Sequence, residues 1–230
     1  LEGAGIFETI KTVDGKPWAF SRHMRRAVNS SAKTRIALPS EDLVRESIAT
    51  LLIAESYPTG LLRVSFDATG NWAAVHLAYT EVTSPAKVGT HPVALVMDGV
   101  PVKSYPYNHR LDILEQARTR GFDEALVTSS EGKICEGSVC NVLLKIKGTW
   151  CTPPLSDGVL AGIVRALVIE NCDVMVRSIA VSEIADIESA FLLSSLRIAQ
   201  PIASIDGREL SQSHEFRDEI EAMALRTSVG

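Results

Sequence analysis

The sequence predicts an α+β fold in two parts, and three observations predict it. Runs rich in β-forming residues alternate with amphipathic helical stretches. Most of the strands are joined by tight turns such as Asp14-Gly15 and Lys147-Gly148, not by crossover helices, which argues against a regular parallel α/β sheet. A short polar stretch with a proline, Thr83-Ser84-Pro85-Ala86-Lys87, reads as a linker. The expected division is a small N-terminal α+β domain over 1–82, a linker over 83–88 and a C-terminal domain over 89–230, the second half barrel-like.

The elements follow in order. Residues 6–12 alternate and read as a strand, turned by Asp14-Gly15 into a second strand at 18–20. Ser21 is the expected N-cap of a helix over 22–34. Pro39-Ser40 opens the next helix, with Leu43, Ile48, Leu51 and Leu52 on its apolar face. Strands are expected at 61–66 and 72–79, and beyond the linker at 92–97. A helix over 108–120 should stop at Gly121, a favoured residue just past a helix end. Strands at 124–129 and 133–135 flank Glu131-Gly132, and strands at 141–146 and 149–152 flank Lys147-Gly148. A helix follows Gly162. Strands at 174–178 and 190–193 are separated by a short helical piece near 181–185, and the pattern over 214–225 is helical. No internal repeat is visible.

Bulk properties narrow the function. The net charge of −5 argues against a nucleic-acid partner, and the only basic cluster, Arg22 to Arg26, is short and interrupted. No apolar run reaches membrane-spanning length, and neither a membrane partner nor a secretory leader is expected. Cys135, Cys140, Cys151 and Cys172 form no Cys-x-x-Cys pair and have no histidine at zinc-finger spacing. They read as reduced thiols of a cytoplasmic protein, with no metal site.

The stretch from Lys103 to Arg165 carries the chemistry. Lys103 follows the apolar run Val100-Pro101-Val102. A lysine held against apolar walls has a lowered pKa and becomes a nucleophilic amine able to condense with an aldehyde. Glu136 ends a strand beside the small residues Gly137 and Ser138. Leu160-Ala161-Gly162-Ile163-Val164-Arg165 opens a helix whose free amides, those of Ile163 and Val164 first, suit a phosphate. A tether, a counter-charge for a ring nitrogen and a phosphate cradle are what pyridoxal 5'-phosphate requires of a protein.

These motifs resemble the class-IV aminotransferases, the fold-type IV pyridoxal phosphate enzymes. The likeness rests on Gly5-Ile6-Phe7-Glu8-Thr9, His23-Met24-Arg25-Arg26, Glu136-Gly137-Ser138-Val139-Cys140-Asn141, Gly162-Ile163-Val164 and Ser194-Ser195-Leu196-Arg197. It implies a two-domain enzyme with a small α/β domain and a larger barrel-like one. It also implies Lys103 as the catalytic amine and Glu136 as the ring-nitrogen partner. Cofactor contacts are implied from Arg26, Tyr107, Ile163, Val164, Ser195 and Leu196, and substrate contacts from Phe7 and Arg63. Asn141 is implied as structural. Members are usually homodimers acting on small-molecule amines.

The family includes branched-chain aminotransferases, D-amino-acid aminotransferases and 4-amino-4-deoxychorismate lyases. The lyase reading is preferred, on the compact chain and the Ser-Ser-Leu-Arg segment. The alternative is a transaminase of branched-chain or other small amino acids, and a third reading is a non-catalytic carrier of the cofactor. Departures from family patterns are Pro106 where lyases commonly show asparagine, Glu8 where some carry threonine, Val164 where threonine is frequent, and Phe66-Asp67 where D-amino-acid aminotransferases place Arg-Gly.

Overall fold

The computed structural model describes residues 1–97 and 99–228. The chain divides into two compact units: 1–81 with 102–107 and the C-terminal residues from Arg226, and 82–101 with 108–225.

In the first unit, β1 (Gly5–Val13) turns through Asp14 and Gly15, both at positive φ, into the short β2 (Lys16–Pro17). Two helices follow, α1 (Phe20–Thr34) and α2 (Glu41–Ala54), then β3 (Thr59–Asp67) and β4 (Trp72–Ala78). β1 pairs antiparallel with β3, and β3 with β4. The alternate residues Ile6, Ile10, Leu62, Val64 and Phe66 meet Phe20 and Met24 of α1 and Val44 and Ile48 of α2 in one buried core. Ser40 caps α2 by accepting from the Leu43 amide at 3.3 Å.

Two expectations fail here. No strand occupies 18–20, because Ala19 is buried in the left-handed region at φ 51 and turns the chain directly into α1. Ser21 is therefore inside the helix, and Ala19 stands at the N-cap without a side-chain bond.

The next strand, β5 (Ala86–Thr90), belongs to the second unit, and β6 (Ser104–Tyr105) pairs with β1 in the first. β5 begins within the stretch read as linker, and the strand expected at 92–97 reduces to a bridge between Leu95 and Ser129. Ala86 and Val88 point into the core, whereas Pro92 has no N–H to offer a ladder.

The second unit continues with α3 (Asn108–Thr119), β7 (Glu124–Thr128), β8 (Lys133–Gly137), β9 (Asn141–Ile146) and β10 (Thr149–Thr152). Then come α4 (Ile163–Asn171), β11 (Met175–Val176), β12 (Ile179–Ala180), a 3-10 turn over Val181–Asp186, β13 (Ile187–Ser194), β14 (Ile198–Ile205), β15 (Arg208–Glu209) and α5 (His214–Arg226). Its ten strands form one mixed sheet in the order β11-β10-β9-β13-β14-β5-β7-β8-β12, with β15 on β14. Val88, Leu126, Val142, Leu144, Leu192 and Ile202 are among its core residues.

β14 has no counterpart in the sequence reading, since Pro201 in mid-run argues against a central strand. Its pairing with β5 begins only at Ile202, so the imide nitrogen falls short of that ladder. No helix among the described residues is long and apolar enough to cross a membrane, and no metal-holding cluster occurs among them. Cys135, Cys140 and Cys151 are buried, and burial pushes the Cys135 thiol up to about 11, which makes it a poor nucleophile.

Candidate active site

The first unit assembles two clusters around β1. Residues alternate across a strand, so Phe7 and Glu8 leave β1 on opposite sides. Around Phe7, the Lys103 Nζ lies 4.7 Å and the Arg63 guanidinium 4.4 Å from the ring centroid. Tyr107 meets the same ring edge-on at 5.2 Å, and Lys103 Nζ lies 5.3 Å from the Tyr107 ring. The Phe7 amide donates to the Lys103 carbonyl at 3.0 Å, which pins the lysine backbone to β1. Arg63 Nε is buried without a hydrogen-bond partner, and burial pulls the guanidinium below its ordinary pKa, with the neighbouring Tyr107 opposing. Lys103, Phe7, Arg63 and Tyr107 are therefore brought together.

Around Glu8, which is 1% exposed, the Arg26 guanidinium donates from Nε to Oε1 at 2.8 Å and from Nη2 to Oε2. His23 Nδ1 stands 2.7 Å from Oε2. Burial raises the Glu8 pKa, but the charge and hydrogen bonds of Arg26, with those of His23, bring it down to about 2. Burial lowers His23, against the pull of Glu8 and with the push of Arg26 and Lys103. The spacing of His23 and Arg26 thus places both on one carboxylate. Glu8 reads from the sequence only as a departure from the family pattern, yet here it holds the arginine in a fixed forked geometry. Arg25 is exposed.

This network makes acid stability a test. With a folded pKa near 2 against 4.5 unfolded, Glu8 contributes stability above about pH 4.5 that is lost as pH falls toward 2. The contribution is on the order of 3 kcal/mol. His23, also depressed, acts with the same sign from its unfolded value of 6.5 downward. Thermal unfolding followed against pH should therefore fall more steeply below pH 4.5 in the wild type than in Glu8→Gln. Parallel curves would remove Glu8 from the account.

The second unit assembles the other residues. Glu136, 4% exposed, lies on β8. Its Oε1 accepts from Arg110 Nη2 at 2.7 Å, and its Oε2 accepts from Asn141 Nδ2 at 3.1 Å and the Leu160 amide at 3.0 Å. Donors in this number match a charged carboxylate acceptor. Asn141 Nδ2 also donates to the Leu160 carbonyl at 3.0 Å, so Glu136 is tied to the chain leading into α4. Ile163 and Val164 are the first two residues of α4, where amides have no acceptor within the helix. No acidic side chain sits in that first turn to occupy them. Gly162 precedes them, and a Cβ there would come within 1.8 Å of Asn141 Oδ1.

Gly162→Ala should therefore displace the Asn141 carboxamide from both Glu136 and the Leu160 carbonyl. Overpacking of this kind costs about 1–3 kcal/mol. Unfolding and cofactor titration of the variant should both show the loss; unchanged cofactor affinity would disconnect Asn141 from the site.

Ser195 and Leu196 lie in the turn between β13 and β14. Arg197 follows them, and its Nη1 donates to Glu124 Oε2 at 3.1 Å. Sequence reasoning missed Arg110 and Arg197 because each meets its carboxylate across 26 and 73 residues, a separation that no local pattern encodes.

Within the second unit, a buried carboxylate set among fixed donors and a helix start without acidic side chains fit the ring nitrogen and the phosphate of pyridoxal 5'-phosphate; within the first unit, taken by itself, a lysine beside an aromatic ring fits an aldehyde. Comparison with known proteins agrees. The model of the class IV aminotransferase family matches residues 5–205, and the chain belongs to that family. It is a pyridoxal-phosphate-dependent enzyme of the lyase and aminotransferase class.

The bifunctional aminodeoxychorismate lyase / D-amino acid transaminase of Mycobacterium tuberculosis is 24% identical over 93% of this chain and 86% of its own length. A Legionella pneumophila crystal structure, provisionally named a 4-amino-4-deoxychorismate lyase, superimposes with a TM-score of 0.89 at 22% identity, covering 97% of this chain and 91% of that one. The branched-chain aminotransferase of Thermoproteus uzoniensis, solved with norvaline, gives 0.86 at 22% identity over 95% and 84%. These likenesses bear out the α+β, fold-type IV architecture.

Proposed function

We propose that this enzyme is a 4-amino-4-deoxychorismate lyase, eliminating pyruvate from its substrate to leave 4-aminobenzoate. The observation that carries the reading is the Phe7 shelf: an aromatic ring beside Lys103, flanked by Tyr107 and by an arginine whose buried Nε has no partner. Such a surface suits a flat, unsaturated six-membered ring bearing a carboxylate. The relative from Mycobacterium tuberculosis, whose name joins this lyase activity to a transaminase activity, lends support.

The cofactor supplies an aldehyde for the substrate amine and a ring that accepts electron density from the adjacent carbon. Lys103 Nζ would hold the cofactor and, as a free amine, would take the proton from the substrate carbon bearing the amine and pass it to the oxygen of the departing enolpyruvate. Glu136 would keep the ring nitrogen protonated. Arg26, the Ile163 and Val164 amides, Ser195 and Leu196 would hold the phosphate, and Tyr107 would hold the ring hydroxyl. Phe7 and Arg63 orient the substrate, Arg63 through its carboxylate. A cytoplasmic homodimer belongs to the same reading.

A second reading, a transaminase of branched-chain or other small amino acids, is favoured by the likeness to the Thermoproteus uzoniensis enzyme. One assay separates the two. Release of pyruvate from aminodeoxychorismate with no keto acid present is the expected result. Conversion of the bound cofactor to its amine form by amino donors, without pyruvate release, would replace the lyase with the transaminase.

A further inference from the structure

We propose that Arg197 and Glu124 are a positioning pair that holds the turn between β13 and β14 in its phosphate-binding shape. The inference rests on the reading that Ser195 and Leu196 contact the cofactor phosphate.

Glu124 opens β7 and is fully buried. Its Oε1 accepts from the Ala125 amide at 3.1 Å, from the Ser138 amide at 3.0 Å and from the Ser138 hydroxyl. Its Oε2 accepts from the Cys140 thiol at 3.4 Å and from Arg197 Nη1 at 3.1 Å. One carboxylate thus joins the loop that follows Glu136 on β8 to the turn that carries Ser195. Glu136 is in turn tied to the start of α4 through Leu160 and Asn141. The three segments assigned to the ring nitrogen and the phosphate are therefore connected through hydrogen-bonded side chains.

The turn needs such a restraint. Ser194 pairs with Ile198 across it, and Ile198 adopts φ 55. A β-branched residue in the left-handed region is a conformational outlier, and it persists only where the surroundings hold it. The Ser194 hydroxyl accepts from the Arg197 amide at 3.3 Å, a long bond. The Arg197 Nη1 contact to Oε2 of the buried Glu124, at 3.1 Å, is a charged restraint on this turn.

The test compares pyridoxal 5'-phosphate with pyridoxal, which lacks the phosphate, for equilibrium binding to the full chain stripped of cofactor. The wild type should prefer the phosphorylated form strongly. Arg197→Met should lose about tenfold or more of that preference, with pyridoxal binding nearly unchanged. Arg197→Lys, which keeps the charge on a side chain without the guanidinium, should recover part of it, and it decides the question if Arg197→Met does not fold. Full phosphate preference in the variant, or equal weakening of both ligands, overturns the inference. A wild type that binds both forms equally would instead overturn the phosphate assignment on which it rests.

Discussion

Lys103→Ala should lose turnover by a factor on the order of 10³, the largest effect expected of any substitution in this chain. On the proposed function, two roles leave with one amine: the covalent hold on the cofactor and the proton carrier at the substrate carbon. The geometry explains why neighbouring groups cannot substitute. Arg63 shares the Phe7 shelf but is a guanidinium, which does not act as a nucleophile or release its proton near neutral pH. Tyr107 offers a hydroxyl, which forms no imine with an aldehyde. His23 is engaged with Glu8. Borohydride treatment should fix the cofactor to the wild-type chain at Lys103 and to no residue of the variant. Small primary amines added to Lys103→Ala should restore part of the turnover, since they return a base but not a tether. Wild-type activity in the variant would end the assignment.

The residues that sequence made legible share one property: their structural consequence is local. Asp14-Gly15 and Lys147-Gly148 adopt positive φ at both positions, as a two-residue hairpin turn demands. Gly121, at φ 85, follows the end of α3, and Ser40 caps α2. The Glu136-to-Asn141 motif placed the buried carboxylate beside the Asn141 carboxamide, because β8, its loop and β9 are contiguous in the chain. What stayed hidden is set by tertiary contact. Ala19 at φ 51 and Ile198 at φ 55 have side chains that give no hint of a left-handed backbone, and packing overrides their preference. β14 was masked by Pro201, tolerated only because of where its neighbour begins to pair. Glu8 looked like a mismatch to a family pattern until α1 laid His23 and Arg26 against it. Charged partners distant in sequence, Arg110 with Glu136 and Arg197 with Glu124, leave no periodic trace.

Glu136→Gln should weaken the enzyme twice, and the two losses can be separated. An amide group has one acceptor oxygen where the carboxylate has two. Whichever way it turns, its NH2 faces either Arg110 Nη2 or the Asn141 and Leu160 donors, so a donor meets a donor in a buried place. Leaving Arg110 without its charge partner costs on the order of 3 kcal/mol, read as a lower unfolding midpoint. The chemical loss is distinct. If Glu136 serves the ring nitrogen as proposed, a neutral amide would not hold it protonated, and removing a preorganised electrostatic partner of this kind should lower kcat by roughly 10²–10³. Arg110→Met supplies the comparison, because it breaks the same ion pair and keeps the carboxylate. It should match Glu136→Gln in stability and retain most of its turnover, and the double variant should be less destabilised than the sum of the two. If Arg110→Met loses as much activity as Glu136→Gln, the effect belongs to the ion pair and the carboxylate has no separate part in the chemistry.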